Sequence, residues 1–237
     1  MLLEICSSNL KSVQAAIEGG ADRIELCRDL DLDGLTPTRA MISEAVKLCR
    51  PAGVVVHVLI RSRAGNFVYS DEEIVQMTEE ARMAIEEGAD GIVIGALTPD
   101  GDIDINACKR WIDAVRKPDG RLACNVTFHR AFDVCRRPLE AMETIAELGC
   151  NRILTSGQAP TAEAGIPLLL QLVEKAKALT ERAGRKLTIL CGAGVTPENA
   201  ARILKETGAT EIHGSLRTGL YSDAQKIRTV KAIDKRV

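Results

Sequence analysis

The stretch Gly20-Ala21-Asp22-Arg23-Ile24 decides the fold, because it recurs three more times along the chain. The later copies are Gly88-Ala89-Asp90-Gly91-Ile92, Gly149-Cys150-Asn151-Arg152-Ile153 and Gly208-Ala209-Thr210-Glu211-Ile212. Each copy follows a helical pattern and precedes a β-branched run, so its glycine ends a helix and its polar residue opens a strand. Successive copies start about 60 residues apart, the length of two βα units of about 30 residues each. Four copies therefore predict eight units, the number that closes a TIM (β/α)8 barrel.

The remaining elements fit between these copies. We expect strands near 2–6, 22–27, 54–60, 90–95, 123–129, 151–156, 187–191 and 211–214, and helices near 9–18, 37–49, 71–87, 104–116, 138–147, 163–183 and 197–206. Ser70-Asp71-Glu72-Glu73 has the form of a capping box, and Thr196-Pro197 that of an N-cap followed by proline. An open doubly wound sheet is the main alternative, but it usually has five or six strands and a glycine-rich motif after the first, which is missing here.

No linker or low-complexity stretch divides the chain, so we expect a single TIM-barrel domain over residues 1–237. Within it, residues 218–237 form a C-terminal closing segment. From Ser222 onward this segment carries Ile227, Val230 and Ile233 among basic residues, which predicts an amphipathic helix.

The amino-acid composition limits the classes of partner that this protein can bind. The 237 residues are 46% hydrophobic but only 3% aromatic, so the core is built from Leu, Ile, Val and Ala. A formal net charge of -2 gives no basic surface for nucleic acid or membranes. No apolar run approaches the roughly 20 residues that span a bilayer, and Glu4 lies where a secretory signal would be apolar. We therefore expect a cytoplasmic protein that binds neither nucleic acid nor membrane.

The eight cysteines do not indicate a disulfide scaffold, because the chain is long and shows no export signal. No Cys-x-x-Cys pair is present, so the usual zinc and thioredoxin-like spacings are missing. We expect buried, reduced thiols that pack as small hydrophobic groups.

The first two strands end in parallel phrases, Glu4-Ile5-Cys6 and Glu25-Leu26-Cys27. Because side chains alternate along a strand, two carboxylates and two thiols should face the barrel interior near its mouth. A buried carboxylate needs a partner, and we expect Arg61 or Arg130 to supply it. The group forms either a structural ion-pair network or an acid/base and ligand-positioning site.

The three histidines, His57, His129 and His213, each fall in or at the end of a predicted strand. Barrel enzymes place their chemistry at strand C-termini, and histidine suits proton transfer near neutral pH. A lone strand histidine can equally be a core group, and the three together could bind a metal. No lysine lies at a strand C-terminus, which argues against Schiff-base chemistry. As catalytic residues we expect Glu4, Glu25, His57, Arg61, His129, Arg130 and Asp133.

The last two βα loops, Cys191-Gly192-Ala193-Gly194-Val195-Thr196 and His213-Gly214-Ser215-Leu216-Arg217, are rich in glycine. TIM barrels often bind phosphate there through bare backbone amides and a helix N-terminus. We expect an anion-binding site at Gly192, Gly194, Gly214 and Ser215. The alternative is that tight βα turns simply need glycine.

Five phrases together resemble the CutC family: Gly20–Cys27, Gly34–Pro37, His57–Arg61, Thr127–Asp133 and Arg152–Gly157. The resemblance runs from about Leu3 to Arg217 and implies a cytoplasmic TIM barrel that forms a dimer or tetramer and serves copper homeostasis. Two mouth loops depart from the family pattern. Residues 62–67 read Ser-Arg-Ala-Gly-Asn-Phe where Pro-Arg-Gly-Gly-Asp-Phe is expected, and residues 191–194 interrupt a run of glycines.

The resemblance also implies that Cys6 and Cys27 match family cysteines at the ends of strands one and two. Cu(I) favours soft thiolates, and neighbouring strands lie about 4.8 Å apart, so this pair is the expected metal site with copper as its ion. A barrel enzyme acting on a small sugar-like or phosphorylated substrate is the alternative. Accessible thiols of low pKa would favour copper handling, and a roomy polar mouth with perturbed acids would favour the enzyme.

Overall fold

Eight parallel strands, paired in chain order, close into a barrel in the computed structural model, which describes residues 1–183 and 186–235. The strands are β1 Leu2–Ser7, β2 Arg23–Leu26, β3 Val55–Leu59, β4 Gly91–Ile94, β5 Asn125–Phe128, β6 Arg152–Thr155, β7 Thr188–Cys191 and β8 Glu211–Gly214. Because β8 pairs with β1, the open doubly wound sheet is excluded and the predicted TIM barrel is confirmed.

Helices cover the outside of the barrel. They are α1 Leu10–Gly19, α2 Arg39–Cys49, α3 Asp71–Glu86, α4 Ile105–Ala114, α5 Pro138–Leu148, α6 Ile166–Ala183, α7 Ala200–Thr207 and α8 Ala224–Lys231. The apolar core fills the layer between strands and helices and includes the outward-facing Ile5 and Leu26. All eight cysteines are free thiols, so no disulfide stabilises the fold. Among the described helices, none has the length and apolar composition needed to cross a membrane.

The recurring phrase of the sequence links each even strand to the strand before it. Its glycine has a positive φ in every copy, which ends the helix and turns the chain back towards the barrel. In the first three copies the third residue, Asp22, Asp90 or Asn151, accepts a hydrogen bond from a backbone amide of the preceding odd strand, at 2.7 to 2.9 Å. The phrase therefore links neighbouring strands at the N-terminal end of the barrel.

The fourth residue of each copy is the first residue of an even strand: Arg23, Gly91, Arg152 or Glu211. Alternate strands of a TIM barrel contribute side chains to one interior layer. Here that layer is charged rather than aliphatic, because Glu211 pairs with both Arg23 and Arg152. Gly91 leaves room for the ring of His57, since a Cβ there would lie 2.4 Å from a ring carbon.

One helix start agrees with the sequence prediction and one does not. Ser70 and Glu73 form the expected capping box at the start of α3. The start predicted at Thr196-Pro197 is wrong, because α7 begins only at Ala200. Asn199 Oδ1 accepts a hydrogen bond from the Thr196 amide at 2.8 Å, which holds residues 196–199 in a turn ahead of the helix.

The end of the chain packs back on its beginning. Ile227 and Val230 of α8 are buried, and Ile227 lies so close to Gly19 that a Cβ on Gly19 would be 2.4 Å from its Cγ2. A short hairpin, β9 Arg217–Thr218 and β10 Tyr221–Ser222, connects β8 to this helix. The last two residues of the predicted closing segment, 236 and 237, lie outside the described residues.

Candidate functional site

A cavity of about 500 Å³ opens at the C-terminal ends of the strands. This volume falls within the range of about 300–1,000 Å³ that is typical of small-molecule sites. The predicted site residues that line it are Cys6, Glu25, Arg61, His129, Arg130, Asp133, Gly194, Gly214 and Ser215. Glu4, His57, Cys27 and Gly192 are not part of its wall.

The register between β1 and β2 explains why Glu4 lies deeper than Glu25. Cys6 pairs with Glu25, whereas Glu4 pairs with Arg23, two residues further from the mouth. Glu4 is completely buried. Glu4 therefore lies beneath the cavity, in the charged layer of the barrel.

The arginine partner of Glu4 is Arg23, and the expectation of Arg61 or Arg130 was wrong. The Arg23 guanidinium also donates to Glu211 at 2.7 Å, and Arg152 donates to the same carboxylate at 2.6 Å. Each of these four side chains is less than a tenth exposed. The structural ion-pair network considered for the barrel interior therefore exists, and its arginines come from the even strands.

His213 connects this charged layer to the cavity. Its Nδ1 lies 2.7 Å from Glu4 Oε1, while its ring reaches the cavity wall. Burial opposes a charge on the ring, but contacts with Cys6, Glu4 and Glu25 raise the pKa of His213 well above its usual value. Burial also opposes the charge on Glu4, yet Arg23 and the hydrogen bond from His213 hold the pKa of Glu4 well below its ordinary value. The pair is therefore an imidazolium donating to a carboxylate.

Glu25 is the carboxyl group with the most unusual environment in the cavity. It is 6% exposed, and burial is the main cause that raises its pKa from 4.5 to about 7, with the Glu4 charge adding to the effect. Its Oε1 accepts a long contact from the Cys6 thiol at 3.9 Å. Its Oε2 is buried and has no hydrogen-bond partner within the described residues. Glu25 can therefore gain and lose a proton near neutral pH.

The two strand-end thiols lie side by side. Cys6 Sγ and Cys27 Sγ are 3.8 Å apart, Cys6 is 7% exposed, and Cys27 is fully buried among apolar groups. The contact with Cys27, together with burial, raises the pKa of the Cys6 thiol well above its usual value. The two thiols are therefore neighbours, with Cys27 buried beneath the cavity and Cys6 in the cavity wall as a thiol that resists ionisation.

A second set of potential metal ligands surrounds Cys6. Ligand atoms of Cys6, Glu25 and His213 all lie within 4.8 Å of one another, and all three residues are buried. In the described ranges this is the one such group of three, so the three histidines do not converge on a shared metal site. Metal-bound histidines commonly hold a carboxylate with their second nitrogen, as His213 holds Glu4.

His57 lies in the barrel interior instead of the mouth. Burial is the main cause that lowers the pKa of its ring to about 3, so it is neutral. Its Nδ1 is 3.9 Å from Glu4 Oε2, beyond hydrogen-bond distance. The ring occupies the space above Gly91, which makes His57 part of the packing under the site.

His129 follows β5 and caps the short 3₁₀ helix Arg130–Val134. Its Nδ1 accepts a hydrogen bond from the Ala131 amide at 3.1 Å. Burial, with the nearby positive charge of Arg61, lowers the pKa of the ring to about 3. His129 is therefore a neutral ring in the cavity wall.

Arg61 organises the mouth loops through backbone carbonyls. Its guanidinium donates to the carbonyls of Leu32, Gly34 and Gly65 at 3.0 to 3.1 Å, and it lies over the Phe67 ring. It is 4% exposed and pairs with no carboxylate in the described part of the chain. A buried positive charge of this kind favours an anion in the cavity.

Arg130 and Asp133 pair with each other at 2.8 Å. Asp133 also accepts hydrogen bonds from the Thr155 hydroxyl and from the amides of Ser156 and Gln158. Both carboxylate oxygens are therefore engaged, and Asp133 fixes the loop after β6 against the loop after β5. The Arg130 side chain is 45% exposed and lines the cavity.

The glycine-rich loops differ in what they offer an anion. Gly192 donates its amide to Thr155 within the sheet and packs against Leu154, so it has a structural role. The amides of Gly194 and Ser215 have no acceptor among the described residues and lie at the cavity wall. Arg217, which was not among the predicted site residues, lines the same wall, and its guanidinium has no partner in the ranges described.

The sequence also missed Arg23, Arg152 and Glu211, which build the charged layer under the cavity. The signal was present, because these residues occupy one position of the recurring phrase. The indication for Arg217 in the sequence was weaker, and is only that it follows the last glycine-rich turn. Phe67 was recognised only as the end of the mouth loop at residues 62–67, because its place against Arg61 depends on how that loop packs.

Comparison with known proteins gives a consistent match. A model of the CutC family matches residues 1–218. A family protein CutC from Bacteroides fragilis is 45% identical over 93% of this chain and 82% of its own length. A solved structure of CutC from Streptococcus agalactiae, whose name refers to copper homeostasis, is 33% identical with a TM-score of 0.81, covering 91% of this chain and 98% of that one. Phosphoribosylanthranilate isomerase from Pyrococcus furiosus, 14% identical with a TM-score of 0.62 and complete coverage of both chains, shares the fold alone.

Proposed function

We propose that this chain, which belongs to the CutC family, is an enzyme that acts on a small anionic molecule by acid/base chemistry at the mouth of its barrel. The observation that carries this proposal is the carboxyl group of Glu25. It lines the cavity, is buried, and presents an oxygen with no partner among the described residues. An unpaired buried carboxyl is unfavourable for stability, so its position is explained best by a proton that it exchanges with a ligand.

The acid/base role of Glu25 is supported by its surroundings. A pKa of about 7, raised chiefly by burial, gives both protonation states at neutral pH. Below it, Glu4 and His213 hold each other in fixed orientations. In this proposal Glu25 transfers the proton and His213 fixes the charge beside it. Glu4 and His57 lie beneath the cavity and support the residues that line it. Asp133 and Arg130 form part of its rim.

The preference for an anion is supported by positive charge that no carboxylate of the described residues neutralises. Arg61 contributes a buried guanidinium, Arg217 a guanidinium with no acceptor among the described residues, and Gly194 and Ser215 contribute free amides. Charge-assisted hydrogen bonds from arginine to phosphate or carboxylate are among the strongest in proteins. A phosphorylated or sugar-acid molecule therefore suits this cavity.

Binding of small anions tests this proposal. Thermal denaturation and calorimetry would compare inorganic phosphate, glucose 6-phosphate and dihydroxyacetone phosphate. A ligand at about 100 times its Kd stabilises by about 2.7 kcal/mol, which is several degrees in Tm for a chain of this size. We expect stabilisation by at least one of the sugar phosphates at millimolar concentration.

The matched variants are Arg217→Ala and, as a control on the outer surface of α3, Arg82→Ala. Arg217→Ala should weaken the Kd by about tenfold or more, because a charged hydrogen bond is lost. Arg82→Ala should bind as the wild type does. Absence of stabilisation by all three anions, or equal affinity of the Arg217→Ala variant, would contradict the proposed function.

Cu(I) binding by Cys6 and Cys27 is a second candidate, favoured by the 3.8 Å separation of their sulfur atoms. Two thiolates on opposite sides of a metal ion are about 4.6 Å apart, given metal–sulfur bonds of about 2.3 Å, so a small movement would admit the ion. Cu(I) binds thiolates, and the raised pKa of Cys6 opposes loss of its proton. This is why we rank copper second.

Titration of the reduced protein with Cu(I) against a competing chelator tests the second candidate. Cys6→Ser and Cys27→Ser should each lower the affinity strongly if the pair binds copper. Cys124→Ser, which removes a half-buried thiol away from the cavity, is the control. Equal affinity in all four proteins would exclude this site. The cytoplasmic location and the dimer or tetramer implied by the family stay predictions, which fractionation and light scattering can test.

A further inference from the structure

His129 presents a hydrogen-bond donor that no residue of the described chain uses. Its Nδ1 accepts the Ala131 amide, so the proton of a neutral ring is on Nε2. That Nε2 is buried and has no partner among the residues described. An unsatisfied buried donor lowers stability, so its retention in a cavity wall indicates a ligand acceptor.

The surroundings of the ring fix its position. One face lies on Gly95, where a Cβ would be 2.5 Å from the ring atoms Cε1 and Nδ1. The Phe67 ring lies 5.1 Å from its centroid. Since His129 also caps the helix that follows, the ring cannot rotate without losing a backbone hydrogen bond. The Nε2–H group is therefore held in one orientation, on a side chain that lines the cavity.

A neutral imidazole is a donor that polarises a substrate oxygen and keeps its proton. Burial and the Arg61 charge keep this ring uncharged across the neutral range, because its pKa is lowered to about 3. A neutral donor suits an oxygen on which negative charge develops during reaction, such as a carbonyl becoming an enolate. His129 is thus separated in role from Glu25, which carries the proton in the proposed function.

We propose that the Nε2–H of His129 donates to a carbonyl oxygen of the substrate, and that the reaction is removal of a proton from the carbon beside that carbonyl. This inference rests on the proposed function and names its substrate class, a small hydroxy-aldehyde or hydroxy-ketone with an anionic group. Glu25 lies on β2 and His129 follows β5, so the two groups approach one ligand from different walls of the cavity.

The step balances without a further reactant. The Glu25 carboxylate takes the proton of the C–H bond, and the electron pair of that bond becomes the C=C bond of an enolate. The carbonyl π electrons move to the oxygen, which accepts the hydrogen bond from His129. Return of the proton from Glu25 to the same carbon regenerates the substrate. Its return to the former carbonyl carbon gives an isomer, in which the proton of the neighbouring hydroxyl passes to the enolate oxygen and that hydroxyl carbon becomes the new carbonyl.

Hydrogen exchange with solvent tests the reaction. The protein is incubated in D₂O with dihydroxyacetone phosphate or fructose 6-phosphate, and proton NMR follows the signal of the hydrogen beside the carbonyl. We expect loss of that signal with the wild type and none with Glu25→Gln. Glycerol 3-phosphate, which has the anion and lacks the carbonyl, should bind without exchange.

Two variants of His129 separate the donor from the cap. His129→Asn keeps an oxygen for the Ala131 amide but has no group that reaches the Nε2 position, whereas His129→Gln keeps an amide donor near that position and weakens the cap. Loss of one such donor should slow exchange by about 100-fold or more. We expect His129→Asn to fold normally and exchange slowly, and His129→Gln to be less stable and to retain more exchange. The reverse order would show that His129 acts only as a cap.

Nitrogen-15 NMR of the histidine rings gives a result that does not depend on turnover. His129 should remain the neutral Nε2–H form between about pH 5 and pH 8. Its Nε2–H signal should move when phosphoglycolohydroxamate, a mimic of the enolate, binds. A ring that titrates near its ordinary pKa, or a mimic that does not bind or leaves the signal unchanged, would overturn the inference. If phosphate and glycerol 3-phosphate still stabilise the protein, the anion site of the proposed function stands and only the carbonyl chemistry fails.

Discussion

Replacement of Glu25 by glutamine should make the protein more stable at alkaline pH and leave its stability unchanged at acid pH. Burial raises the pKa of this carboxyl from 4.5 to about 7. Between those two pH values the native protein holds a proton that the unfolded chain releases, so the stability of the wild type falls as the pH rises through this window. Glutamine is uncharged throughout and does not incur this loss.

The magnitude follows from the size of the pKa change. A shift of one pKa unit corresponds to about 1.4 kcal/mol, so the rise from 4.5 to about 7 gives at most about 3 kcal/mol above pH 7. Glu25 also stabilises the charge on His213, and the variant loses that attraction. We therefore expect a net gain of about 1 to 3 kcal/mol, or about 3 to 10 °C in Tm.

Urea denaturation at about pH 5 and pH 8 measures this difference for the wild type and Glu25→Gln. Glu174→Gln, at an exposed position on α6, is the control for removing a carboxylate from the surface. The reasoning would be refuted if Glu25→Gln were less stable than the wild type at pH 8, or if its advantage were the same at both pH values.

Three further substitutions test the framework that holds the site, each by urea denaturation. Glu211→Gln should destabilise by about 3 to 5 kcal/mol, because it leaves Arg23 and Arg152 without their shared carboxylate; a loss below about 1 kcal/mol would show that the charged layer contributes little. Ala193→Gly should stabilise by about 1 kcal/mol, since Ala193 has a φ of 82° that glycine adopts freely; a loss of stability would contradict this reading of the loop. Gly91→Ala should destabilise the wild type by about 1 to 3 kcal/mol, because the new Cβ meets the His57 ring. The loss should be smaller in a protein that also carries His57→Ala. Equal losses with and without His57 would show that the clash is with another group.

The barrel could be predicted from the sequence because one physical junction is repeated. Each copy of the Gly-Ala-Asp phrase ends a helix and starts an even strand, and the first three copies also supply an acceptor for the previous strand. Such a junction needs a glycine at one position and a short polar side chain two residues later, which leaves a readable pattern. The start of α7 was misplaced because Thr196 and Pro197 suit a turn as well as a helix N-terminus.

The site was predicted less completely, because strand alternation gives the face of a residue and not its depth. Glu4 and Glu25 both point inward, as expected, yet the register places Glu4 beside Arg23 and Glu25 beside Cys6. The same stagger puts His57 under the cavity and His129 in its wall. The depth of a side chain in the barrel depends on how all eight strands are offset from one another, and the sequence of a single strand does not show this offset.

The partner of Glu4 could not be identified for a similar reason. Arg61 and Arg130 were the arginines near predicted strand ends, but Arg61 is held by loop carbonyls and Arg130 by Asp133. Arg23 lies at the beginning of its strand, where function was not expected. It reaches Glu4 because the two residues pair directly across β1 and β2.

The protonation of Glu25 is the most direct test of the account, because the proposed chemistry depends on it. Carbon-13 NMR can follow the side-chain carboxyl of Glu25 through a pH titration, with Glu25→Gln identifying the signal. We expect a midpoint near pH 7 and a change in that midpoint when a sugar phosphate binds. A midpoint at the ordinary value of 4.5, unchanged by the ligand, would contradict it and leave the pair of thiols as the stronger candidate site.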